Sequence, residues 1–93
     1  MQLKDTIEMM NSADYKERFR AEYWQTKIRY EKLKDFNTKI EAARHLQYFD
    51  KVSIGLQMPP HDCPDLLLTD QQNIMGQYLH VLEVRAEIEG ITL

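Results

Sequence analysis

The sequence predicts an all-α protein: an antiparallel helical hairpin with a short extra helix, assembled as a homo-oligomer. Three observations carry this. Residues 14–36 contain no Gly or Pro, and Phe19, Tyr23, Thr26, Tyr30 and Leu33 recur at gaps of four, three, four and three, which is a helical period. Residues 56–65, LQMPPHDCPD, hold all three prolines and cannot continue a helix. From residue 65 to about 89 the helical period returns, with Gly76 the one glycine inside it. At 93 residues the chain is one small domain with a thin core, since a chain this short buries only about 60–70% of its unfolded surface. We divide it into an arm, residues 1–13, and a single helical hairpin domain, residues 14–93.

Taken in order, residues 1–13 read as a loose N-terminal arm. Asn11, Ser12 and Asp14 offer N-cap oxygens, and Ser12 in that role would place Asp14 in the first turn, against the positive end of the helix dipole. An amphipathic helix covers 14–36. Asn37 and Thr38 interrupt it. Thr38 with Glu41 has capping-box spacing, so either a second helix starts there, with Ile40, Ala43, Leu46 and Phe49 inward, or the first continues with a kink. This stretch ends by Gly55. Pro64 suits the first position of the last helix, with Cys63 or Asp62 near its cap. That helix carries two adjacent apolar stripes. One is Leu68, Met75, Leu79, Leu82 and Ala86; the other is Leu67, Ile74, Tyr78, Val81 and Ile88. A lone partner helix cannot cover both, so the second stripe calls for burial between subunits.

Composition narrows the function classes. The first thirteen residues include Lys4, Asp5 and Glu8, which is no signal peptide, and no apolar run approaches the roughly 20 residues of a membrane span. The expectation is therefore a soluble protein with no membrane partner. One Cys excludes an internal disulfide framework and a Cys-rich zinc site. The net charge of −3 argues against DNA or RNA polymers as partners. It conceals a split. Residues 14–36 carry seven basic and five acidic groups, a net of +2, whereas residues 52–93 carry six acids and only Arg85, a net of −5. Six aromatics, Tyr15, Phe19, Tyr23, Trp24, Tyr30 and Phe36, share the basic window.

Catalysis finds little support. Cys63 and His61 stand in a Pro-rich loop with no evident third group to orient them. His45, His61 and His80 lack ligand spacing, and no phosphate loop or nucleophile elbow is present. We expect no enzyme, no metal and no cofactor. The first helix says more. Lys16, Arg20, Trp24, Lys27, Glu31 and Lys34 form an outward stripe of cations around an indole, a combination that suits a nucleotide: the cations neutralise phosphate and the rings stack on bases. The ordinary alternative is a solvated face in which Glu31 pairs with Lys27 or Lys34, with Tyr23 and Tyr30 in the core. Arg85 has the same two readings, an i,i+4 pair with Glu89 or one member of a symmetric anion-binding ring.

The run Cys63-Pro64-Asp65-Leu66-Leu67-Leu68, followed by Gln72, Met75, Tyr78-Leu79, Leu82 and Arg85-Ala86, resembles the small phage proteins of the CBASS-evading cyclic-oligonucleotide sponge family. These share a helical hairpin domain with the phage anti-Thoeris sponges. The first helix agrees through Glu22-Tyr23, Lys27, Arg29, Lys32-Leu33 and Phe36, and the likeness spans about residues 14–91. The resemblance implies a homohexamer of helical hairpins in the cytoplasm of an infected bacterial host. It implies binding, without cleavage, of cyclic dinucleotides such as cyclic GMP-AMP, and in some members cyclic trinucleotides at separate sites on the three-fold axis. Relatives bind cyclic ADP-ribose isomers. By position it casts Tyr15 as the base-stacking ring, Lys27 or Arg29 as the phosphate ligand and Arg85 at the trinucleotide site. Arg20, Tyr23, Trp24 and Thr26 complete the candidate ligand-binding set. Thr26 stands where the family's seam has an aliphatic residue, and Trp24 adds an outer aromatic. A small helical protein–protein adaptor is the alternative from a different class.

Overall fold

A computed structural model describes residues 1–48 and 58–93. Among them the chain forms a 3-10 turn, Leu3–Thr6, and three α-helices: α1, Ile7–Met10; α2, Tyr15–Tyr48; and α3, Asp65–Glu89. No strand occurs among the described residues. The hairpin of α2 and α3 is antiparallel. Contacts run from Tyr15 on Glu89 through Tyr23 on Glu83 and Asn37 on Gln72 to Arg44 on Asp65. At a rise of about 1.5 Å per residue, the 34 residues of α2 account for the 54 Å long axis.

The expected arm is not loose. Its 3-10 turn is closed by a capping box between Gln2 and Asp5, and Thr6 is completely buried. The burial is possible because the Thr6 hydroxyl is satisfied twice: it donates to the Leu3 carbonyl at 2.7 Å and accepts from Gln25 Nε2 of α2 at 3.0 Å. At the start of α2 the cap is Asp14 rather than Ser12. Asp14 Oδ1 accepts from the Lys16 amide at 3.0 Å, while Ser12 Oγ accepts from the Asp14 amide.

No break occurs at Asn37 and Thr38. Both side chains find partners that leave the helix intact. Asn37 Nδ2 reaches across to the Leu68 carbonyl at 3.1 Å and Gln72 Oε1 at 2.9 Å, and Thr38 Oγ1 donates back to the Lys34 carbonyl at 2.8 Å. The short extra helix is therefore α1, ahead of the hairpin, not a segment after residue 37. Ile40 and Ala43 are buried as expected, and Leu46 is half-buried. Phe49, Gly55 and the first two residues of the Pro-rich linker lie outside the described residues. Pro64 sits one position earlier than expected. It is the N-cap of α3, with extended ψ 143°, and its carbonyl accepts from the Leu67 and Leu68 amides.

The main core gathers where α2 begins and α3 ends: Phe19, Tyr23, Leu79, Leu82, Ala86 and Ile91. Gly90, at φ 69°, adopts the left-handed conformation that ends α3. The turn it makes folds Ile91 onto this core. The first stripe of α3 faces inward, with Leu79, Leu82 and Ala86 buried. The second does not. Leu67, Ile74, Val81 and Ile88, each seven residues apart, are exposed at 57%, 64%, 52% and 80%. With a radius of gyration of 17.2 Å, against about 12 Å for a globule of this length, a single elongated hairpin has no interior left to cover them.

Candidate functional site

Tyr15 and Arg85, assigned to different sites by resemblance, touch within one protomer. The cap at Asp14 starts α2 so that Tyr15 and Phe19, four residues apart, both face the end of α3. There the Tyr15 hydroxyl donates to Glu89 Oε1 at 3.1 Å and accepts from an Arg85 guanidinium N–H. Arg85 also pairs with Glu89 at 3.1 Å, the ordinary i,i+4 contact, and its Cζ lies 5.0 Å from the Phe19 ring centroid. The Tyr15 and Phe19 rings are tilted at 6.1 Å. Tyr15 remains 46% exposed, with the Arg85 guanidinium at its hydroxyl. The neighbouring Tyr78 hydroxyl donates to Glu22, and that bond raises the phenol's pKa.

The rest of the expected set is divided. Tyr23 is core, not platform. Its hydroxyl donates to Glu83 Oε2 at 2.8 Å, and burial, followed by this carboxylate, pushes its pKa up to about 12. Trp24 was expected on the outer stripe; it is half-buried and packs edge-on against Tyr23 at 5.4 Å, because an indole gains more from that apolar contact than from water. Arg20 is also drawn inward. Its Nε holds the Thr92 carbonyl at 2.7 Å and its Nη1 pairs with Glu17 at 3.0 Å, which ties the C-terminal tail to α2. Thr26 is half-buried. Lys27 pairs with Glu31 at 3.2 Å and lies 5.9 Å from the Tyr30 ring centroid. Arg29 is exposed and makes no ion pair with the described residues. The cationic stripe thus keeps Lys16 and Lys34 exposed and Lys27 in a local pair with Glu31, and spends Arg20 and Trp24 on the fold.

Among the described residues, grooves lie along both ends of the hairpin. One of about 650 Å³ lies beside the C-terminal tail, bordered by Tyr23, Glu83 and Glu87; its carboxylates repel phosphate. Another, about 790 Å³, opens near the loop end between Lys34, Asn37, Arg44, Asp65, Gln72 and Asn73. Sequence reasoning named Lys34, Asn37, Asp65 and Gln72 for other reasons, did not name Arg44 or Asn73, and did not bring the six together. The signal available was the polar pair Asn37 and Gln72 on otherwise apolar faces. The group missing from the Cys63 and His61 reading is Asp65: His61 turns to it and to the Pro59 carbonyl, whereas Cys63 is exposed.

Comparison with known proteins sets these helices in a family. The family model named Sequestin matches residues 13–88. The chain belongs to the Sequestin family. The Sequestin match takes in all of α2 and all but the last residue of α3, and leaves out the 3-10 turn and α1. Neither the curated proteins nor the solved structures yield a match. No helix among the described residues is long and apolar enough to cross a membrane.

Proposed function

We propose that this Sequestin is a phage immune-evasion protein that sequesters cyclic oligonucleotide second messengers without cleaving them and so starves CBASS effectors. The ligands are cyclic dinucleotides such as cyclic GMP-AMP, with cyclic trinucleotides as a second class, and the protein works as a homo-oligomer, a hexamer, in the cytoplasm of the infected host. The family match over both long helices carries the reading: its name is that of a sequestering protein. The geometry supports it. The exposed Tyr15 ring can stack on a base, an interaction worth about 1–3 kcal/mol. Lys27 can exchange Glu31 for a phosphate at little cost, since such exposed i,i+4 pairs contribute only about 0.3–0.5 kcal/mol. The outward seam Leu67, Ile74, Val81 and Ile88 supplies apolar surface for copies of the chain, and pockets shared by two copies are preorganised.

A melting scan against cyclic di- and trinucleotides and cyclic ADP-ribose isomers tests the reading, because a ligand that binds only the folded state raises the Tm. The expected result is a shift with a cyclic dinucleotide, recovery of that ligand intact after heating, and loss of the shift in Tyr15→Ala and Lys27→Ala with the oligomer preserved. A shift confined to cyclic ADP-ribose isomers would move the protein to the anti-Thoeris class. Silence across the panel, with a monomer by light scattering, would sink the sponge reading and leave the exposed α3 seam to a protein adaptor.

A further inference from the structure

The loop end of the hairpin holds a histidine whose two ring nitrogens both face acceptors. His61 Nδ1 lies 2.7 Å from the Pro59 carbonyl oxygen, and Nε2 lies 2.7 Å from Asp65 Oδ1. A neutral imidazole has one N–H and can satisfy only one of them; the imidazolium has two and satisfies both. Deprotonation would therefore set a bare ring nitrogen against an oxygen at hydrogen-bond distance. The side chain is 13% exposed, and its ring meets Phe36 of α2 edge-on at 5.9 Å.

The charged groups that act on the ring come from both helices. Asp65, in the first turn of α3, offers one oxygen to His61 and the other, Oδ2, to Arg44 Nε of α2 at 2.9 Å. Hydrogen bonds from Arg44 first and His61 second hold the Asp65 carboxyl below its ordinary pKa, so it stays ionised throughout the range in which His61 titrates. We infer that His61 is a protonation-controlled clasp that fastens the linker at Pro59 to Asp65 in the first turn of α3, and that loss of its proton loosens the start of α3. Arg44 and Asp65 also border the 790 Å³ groove, so the clasp sets the charge and shape of that groove.

The direction with pH follows from the partners. The Pro59 carbonyl, then the Asp65 carboxylate, raise the His61 pKa above 6.5, while desolvation and the Arg44 charge oppose them in part. A group whose folded pKa is raised contributes its full stability below the unfolded value of about 6.5 and loses it as pH rises through the folded value. The clasp is thus closed at mildly acid pH and opens between neutral and alkaline pH.

Nitrogen-15 NMR of the His61 ring, combined with amide hydrogen exchange across pH 6 to 9, tests this on the intact protein. Both ring nitrogens should carry protons at pH 6.5, with a pKa above that of free histidine. Protection at the Leu67 and Leu68 amides should fall along the same titration, by about tenfold per unit of pKa elevation, while Leu79 and Leu82 stay protected. In His61→Gln, which cannot titrate, protection at the start of α3 should be low and independent of pH. A ring already neutral at pH 6.5, or a titration that leaves Leu67 and Leu68 unchanged, overturns the clasp; the wild-type measurement decides this even if the variant folds poorly.

Discussion

The two ends of the hairpin are held by different forces. Where α2 begins and α3 ends, Phe19, Tyr23, Leu79, Leu82, Ala86 and Ile91 close an apolar core, and the polar contacts of Tyr15, Arg20 and Arg85 lie over it. At the loop end the hydrogen-bonded ties between α2 and α3 are the Asn37 bridge and the Arg44–Asp65 pair, and the His61 clasp holds the start of α3 to the linker before it. Apolar burial has no proton to gain or lose, whereas charged and titrating contacts respond to pH and are screened by salt. One end is therefore a permanent hinge pin, and the other can be tuned by conditions.

Three substitutions sharpen this contrast. Leu82→Ala, at a site 1% exposed, should cost about 2–5 kcal/mol through lost burial and a cavity. Urea unfolding should show the loss at every pH, and a cost below about 1 kcal/mol would mean that this core does not anchor the molecule. Asn37→Ala removes both bonds to α3 and should cost about 1–2 kcal/mol, at roughly 1 kcal/mol for each net hydrogen bond. Hydrogen exchange should place that loss at the loop end, and uniform loosening along both helices would break the comparison. Gly76→Ala is the smallest and has the opposite sign. A Cβ there would lie 3.4 Å from the Tyr30 ring, an ordinary contact, so removing the helical glycine should stabilise the protein by about 0.5–1 kcal/mol. A fall in Tm would show that Tyr30 cannot yield even a few tenths of an ångström.

The helices were legible because their signal is local. Spacing along 14–36 and 65–89 marks two amphipathic segments, and Pro64 marks the start of the second to within one residue. Asn37 and Thr38 misled because their side chains compete with a helix when nothing lies across from them. Here Leu68 and Gln72 lie across from Asn37, and tertiary hydrogen bonds outweigh the local preference. The arm misled for a similar reason: the Leu3 carbonyl satisfies Thr6 locally, but the second partner that lets it be buried, Gln25, lies on α2.

The candidate site divides along the same line. Residue type and helical face nominate Tyr15, Lys27, Arg29 and Arg85 from the sequence. Which of these side chains stay available is settled mostly by partners far along the chain: Thr92 occupies Arg20 and Glu83 takes Tyr23, against which the adjacent Trp24 packs. That Tyr15 meets Arg85, 70 residues away, depends on antiparallel register, which is set by how two helices pack and not by either one's period. The sequence by itself determined two amphipathic helices, a basic aromatic face and an apolar face too wide for one partner, because these depend only on residue order at 3.6 residues per turn. Only the tertiary structure decided which charges are spent on the fold, which aromatic ring stays exposed and where a histidine lies between two acceptors, because those outcomes depend on what lies across the interface.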